Sequence, residues 1–188
     1  MDSKKKFGNY MTGFYASVEL TLRAQNNGSF IECVCLYANQ IDALLRIGLI
    51  LKRQIENDSS ELIEELLYQG EDDRKIMERT IYKMALNDNI IDQEIYNRLN
   101  ALYDERNKVV HRYIISELTT EMVLKIAADY HQLLLEVNDK IVVLEKEQIR
   151  TGKGMTLSAD QVPQEKRKLS IKDLALEKHG RVDLDRKI

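Results

Sequence analysis

Between Phe30 and Glu56 the chain leaves almost no polar side to a helix. Phe30, Val34, Tyr37, Ile41, Leu44, Leu45 and Leu51 recur at helical spacing, and Ile31, Leu36, Ile47, Leu49 and Ile50 fill much of the remaining circumference. A helix that is apolar most of the way round must be covered on most sides, so it belongs at the centre of a bundle. One proline and eight glycines are the only strong helix breakers in 188 residues, which favours long helices. The class is all-α, and short links between the stripes give an up-and-down bundle of five to six helices.

The other stripes fit that reading. Residues 10–25 place Met11, Phe14, Tyr15, Val18 and Leu22 at helical spacing, and Asn26-Asn27-Gly28-Ser29 supplies a turn and an N-cap for the central helix. Asn57-Asp58-Ser59-Ser60 opens a shorter helix that runs through Tyr68 and ends at Gly70. Asp72 to Leu86 makes another, with Ile76, Met77, Thr80, Ile81 and Met84 inward. Residues 91–116 form the next, begun by Asp92 and Glu94, where acids suit the helix dipole. The last helix, from 120 to 148, keeps Met122, Val123, Ile126, Ala127, Tyr130, Leu133, Leu134, Val137, Ile141 and Leu144 in register.

After Arg150 the composition changes. Thr151-Gly152-Lys153-Gly154 reads as a flexible joint with Pro163 beyond it, so residues 1–149 read as the bundle and 150–188 as linker and tail. The tail carries ten basic and six acidic residues, a net of +4, and leaves the bundle with 18 basic and 25 acidic, a net of -7. Ser170 to His179 has the pattern of one short amphipathic helix within a tail for which disorder is the alternative.

An overall charge of -3 gives no global attraction to nucleic acid or anionic membranes, so such binding would need a local patch. Cys33 and Cys35, the only cysteines, point to opposite sides of one helix, which disfavours a disulfide or shared metal ligation. Gly152 and Gly154 lack the strand and the Gly-Lys-Ser/Thr run of a phosphate loop. The N-terminal basic run is not followed by a signal-peptide apolar segment, and a reduced cytoplasm is the expected compartment.

The chemistry concentrates in Asp104-Glu105-Arg106-Asn107-Lys108-Val109-Val110-His111-Arg112-Tyr113. At about 100° per residue, Arg106 projects to the same side as Ile95, Leu99, Leu102, Val109, Val110 and Tyr113. An unpaired charge there would cost several kcal/mol, so Arg106 must meet an acid, an interface or an anion. Glu32 and Asp42 on the central helix are the candidate acids. Asn107 and His111 stack on the stripe's edge, while Asn97, Asp104, Lys108 and Arg112 occupy the solvated face.

Cleaving RNA without a metal requires a general acid or base and a cation for the charge on the phosphoryl oxygens. His111 and Arg106 have those capacities. Their directions differ by about 140° on one helix, so closing both around one phosphate calls for two copies across a two-fold axis.

Arg106-Asn107-x-x-x-His111 resembles the R-x4-6-H motif of HEPN domains, in which a polar residue follows the arginine. Those domains are helical bundles that dimerise with their motifs at the interface, and many are metal-independent ribonucleases. Arg106-x4-His111-x-Tyr113 further resembles the form found in HEPN toxins whose nucleotidyltransferase antitoxin adenylylates the motif tyrosine. The resemblance spans roughly residues 10–148. It implies catalytic roles for Arg106 and His111, a supporting role for Asn107, and Tyr113 as a modification site. It also implies RNA as substrate, a homodimer and no cofactor. Lys108 and Arg112 are placed to help hold RNA phosphates. HEPN domains also occur as noncatalytic interaction modules, which is the alternative function.

Overall fold

A computed structural model describes residues 3–67, 75–157 and 178. Its elements are α1 (Ser3–Asn26), α2 (Phe30–Asn57), α3 (Glu64–Leu67), α4 (Glu78–Asn87), α5 (Gln93–Arg112) and α6 (Thr120–Thr151), with a 3-10 turn at Tyr113–Ile115 between the last two. The protein is an all-α bundle, as its stripes require.

α2 is the central helix. Val34, Ala38, Ile41, Leu45, Leu49 and Ile50 are wholly buried, and all five other helices pack against it. By length and composition α2 is apolar enough to cross a membrane, yet most of its apolar stretch is buried inside the bundle. Its most extensive partner is α6, which contributes Val123, Ile126, Ala127, Tyr130, Leu133, Val137 and Ile141 to the shared core. Gly48 lets the two helices come close, since a Cβ there would sit 2.6 Å from Ile141 Cδ1 and 3.2 Å from Ile90 Cγ2.

The links differ from the sequence expectation for local physical reasons. α2 ends where Asp58 turns left-handed at φ +50°. The Ser59 amide then bonds back to the Gln54 carbonyl, and Gln54 Nε2 donates to the Glu61 carbonyl. That pinned stretch holds residues 59–63 out of a helix, so α3 begins at Glu64 and not near 59. α4 begins at Glu78 and not at 72. Among the described residues before it, 75–77 are not helical; Met77 is extended, and the Ile76 carbonyl accepts from Arg46 Nη2 at 3.1 Å. Met77 thus lies outside the helix, and Met77 and Thr80 are exposed, contrary to expectation, while Ile81, Tyr82 and Ala85 are buried. Gly70 and Asp72 lie outside the described residues.

Caps set the remaining ends. Asp92 accepts from the Ile95 amide at 2.9 Å to open α5, and Thr119 accepts from the Met122 amide at 3.2 Å to open α6. Ser29 stands before α2 without a side-chain cap bond. α5 stops at Arg112, short of the expected 116, where the chain tightens into the 3-10 turn.

The joint expected at 151–154 is the capped end of α6. Gly152 turns left-handed at φ +68°, and wholly buried Gln148 gathers the residues beyond it. Gln148 Nε2 donates to the Leu51 carbonyl and Gln54 Oε1, while its Oε1 accepts the amides of Met155 and Thr156 at 3.1 and 3.0 Å. Met155 and Thr156 are therefore held against the bundle. The expected helix at 170–179 lies outside the described residues except for Lys178, which borders a groove between α1 and α2.

Gly48 gives the first test. In Gly48→Ala the better helix propensity, worth about 1 kcal/mol, offsets the displacement of the flexible Ile141 tip, so stability stays within about 1 kcal/mol of wild type. Gly48→Leu has no room and lowers stability by about 1–3 kcal/mol or more in urea unfolding.

Candidate functional site around Arg106 and His111

The period of α5 decides which of its side chains turn inward. Ile95, Leu99 and Val109 are buried, Leu102 and Tyr103 are half-buried, and Arg106 follows the same stripe. The four residues read as solvated, Asn97, Asp104, Lys108 and Arg112, are all exposed. Val110 departs from the stripe and is 45% exposed.

Arg106 meets an acid, though neither of the two candidates on the central helix. Its Nη1 donates to Glu78 Oε2 at 2.5 Å, between side chains that are 17% and 16% exposed. Asp42 is taken by Arg46 at 2.6 Å, and Glu32 is exposed. The other oxygen of Glu78 accepts the Tyr82 hydroxyl. Arg106 Nη2 reaches Asn107 Oδ1 at 3.4 Å, and the guanidinium lies over the Tyr103 ring, 4.6 Å from its centroid. The same ring carries Arg79 at 4.4 Å, itself paired with Asp104. Stacking an arginine on an aromatic face adds about 0.5–2 kcal/mol of attraction and fixes the plane of the cation.

The electrostatics keep this cluster in one charge state. Burial works against the Arg106 charge, but the hydrogen bond and charge of Glu78 outweigh it and raise its pKa. Burial, reinforced by Glu78, pushes the Tyr82 phenol far up, and burial raises Tyr130 despite the opposing Arg106 charge. The Tyr130 hydroxyl is wholly buried and has no hydrogen-bond partner among the described residues. Cys35 is likewise raised by burial against the pull of Arg106, which disfavours a reactive thiolate.

The rest of the motif lies toward the C-terminal end of α5. His111 is exposed on the last turn and shares no hydrogen bond with Arg106. Lys108 is exposed and spends its charge on Glu105 at 2.6 Å, while Arg112 is exposed beside His111. Tyr113 is half-buried in the 3-10 turn, with its hydroxyl 3.3 Å from that of Thr120. It lines a groove of about 440 Å³ with Phe30, Ile31 and Val123. Within one chain Arg106 and Asn107 thus share a hydrogen bond, His111 lies one turn on from Asn107 without a bond to Arg106, and Tyr113 meets Thr120. In the 3-10 turn that follows His111 and Arg112, Ile114 is 94% and Ile115 81% exposed.

Glu78, Tyr82 and Tyr103 are the members of the cluster that sequence reasoning missed. A signal was present, because Glu78 shares a stripe with Ile81, Tyr82 and Ala85 at offsets of three, four and seven. Among the described residues no group of three or more His, Cys, Asp or Glu side chains could hold a metal ion. Comparison of the chain with protein-family models, curated proteins and solved structures finds no match.

The ion pair makes a prediction for stability. Glu78→Gln and Arg106→Gln each strand a partly buried charge and lower stability by about 1–3 kcal/mol, below the range for fully buried pairs because both side chains retain some solvent. The double variant loses less than the sum of the two, as denaturant unfolding of the four proteins will show; strict additivity would mean that the pair does not couple.

Proposed function

We propose that this protein is a metal-independent endoribonuclease of the HEPN type, acting as a homodimer whose two motifs face each other, and that it serves as a cytoplasmic toxin or antiviral effector. The substrate is single-stranded or loop RNA, whose backbone can reach in-line geometry. The 2′-oxygen attacks the adjacent phosphorus as its proton is removed, the bond to the 5′-oxygen breaks, and that oxygen takes up a proton. The products are a 2′,3′-cyclic phosphate and a 5′-hydroxyl end. His111 serves as the general acid or base, and Arg106, supported by Asn107, stabilises the phosphoryl oxygens. Lys108 and Arg112 assist by contacting neighbouring phosphates. A regulatory partner is part of the reading, with a nucleotidyltransferase that modifies Tyr113 as the form implied by the motif.

The observation that carries this reading is the surface around His111. A motif with an exposed histidine adjoins Val110, Ile114 and Ile115, apolar side chains that a second copy would cover. Such pairing would bring a second Arg106 and His111 to the same cleft, which a single α5 does not do.

A second reading has its own support. Glu78 already satisfies Arg106, so the burial of the guanidinium needs no RNA phosphate. On that reading the bundle is a noncatalytic module that pairs with itself or with a partner protein.

Cleavage of a mixed RNA pool in EDTA, with end-group analysis, separates the two. The nuclease yields cyclic phosphate ends, and Arg106→Ala and His111→Ala each lose at least about 100-fold in rate. A His111→Ala protein that cleaves as fast as wild type contradicts the assignment.

A further inference from the structure

Glu78 is held from several sides before it holds anything else. It sits in the first turn of α4, directly after the extended Met77. The neighbouring Ile76 carbonyl is tied by Arg46 Nη2 at 3.1 Å, and Arg46 is in turn anchored on α2 by Asp42 at 2.6 Å. The start of α4 is therefore fixed to the central helix. Both carboxylate oxygens of Glu78 are then committed, one to the Tyr82 hydroxyl and the other to Arg106.

The consequence falls on Arg106. A free arginine carries about 2 kcal/mol of rotamer entropy, which a phosphate would otherwise have to remove on binding. Here Glu78 fixes one corner of the guanidinium, Asn107 lies 3.4 Å from another, and the Tyr103 ring sets its plane. Of the five N–H donors an arginine has, these contacts occupy two. Among the described residues the other three make no hydrogen bond, and the side chain is still 17% exposed.

We propose that Glu78 is a positioning residue for RNA cleavage, holding Arg106 in the one orientation in which its remaining donors meet the scissile phosphate. This rests on the nuclease reading. Glu78 touches no substrate, and its effect appears in the transition state, where placement of the cation matters most. Misplacing a charge by about 1 Å can cost on the order of 100-fold in rate.

The test is steady-state cleavage of one defined single-stranded RNA by the full chain, comparing wild type with Glu78→Gln, Glu78→Asp and Tyr82→Phe. Thermal unfolding and dimer content are measured in parallel. Glu78→Gln lowers kcat by about 10- to 100-fold with KM within about threefold. Glu78→Asp restores part of that loss because the charge is kept. Tyr82→Phe, which keeps the ring in the core and removes only the hydroxyl that steadies Glu78, lowers kcat severalfold. A merely structural acid would change the melting temperature and leave kcat of the folded fraction alone. If wild type cleaves and folded Glu78→Gln matches or exceeds it, the positioning role is overturned and the nuclease reading stands. Should Glu78→Gln fail to fold, an unchanged kcat in Tyr82→Phe overturns the role equally. If wild type itself does not cleave, the nuclease reading falls and takes this role with it.

Discussion

The bundle is organised by the need to cover α2 on nearly every side. A helix whose core-facing residues extend around most of its circumference cannot be stabilised by one partner, because any face left open would expose Val, Ile and Leu to water at about 25 cal/mol per Å². α6 covers one side over most of its length, and α1 another. The α3–α5 elements close what remains. Gly48 shows how tight that enclosure is, since its missing Cβ is the space that Ile141 uses.

Closing the bundle with α4 and α5 creates the polar cluster. Each of these helices carries one charged residue in an otherwise apolar stripe, Glu78 in α4 and Arg106 in α5, and each would be costly to bury alone. Together they form a pair that Tyr82, Tyr103 and Asn107 complete. A partly buried pair of this kind adds little net stability over an apolar replacement, but it ties α4 to α5 through one defined contact. It also holds a cation, still partly exposed, on the same helix that carries His111. The catalytic reading adds to this that a second copy supplies what one chain keeps apart.

Much of this was legible in the sequence. The stripe from Phe30 to Glu56 required a central helix, and the stripes around it required the bundle. Inward placement of Arg106 followed from the period of α5, and so did the solvated face carrying Lys108 and Arg112. What the pattern could not supply were long-range choices. Which acid meets Arg106 depends on where α4 begins, and that start is set by Arg46 reaching the Ile76 carbonyl, a contact 30 residues away in the chain. The end of α6 was likewise obscured, because Gly152 and Gly154 read as a joint while Gln148 binds the chain that carries them. Glu78 was overlooked through the expectation that its helix began at 72, which put Met77 and Thr80 on the inner face.

The proposed nuclease needs a site completed by two copies, and the exposed Ile114 and Ile115 are the place to challenge that proposal. The most direct measurement is sedimentation equilibrium of wild type and of Ile114→Glu/Ile115→Glu, with RNA cleavage per chain followed at the same concentrations. A dimeric wild type that cleaves, beside a folded monomeric variant that does not, is the result this account requires. A monomer that cleaves at the wild-type rate per chain would contradict it.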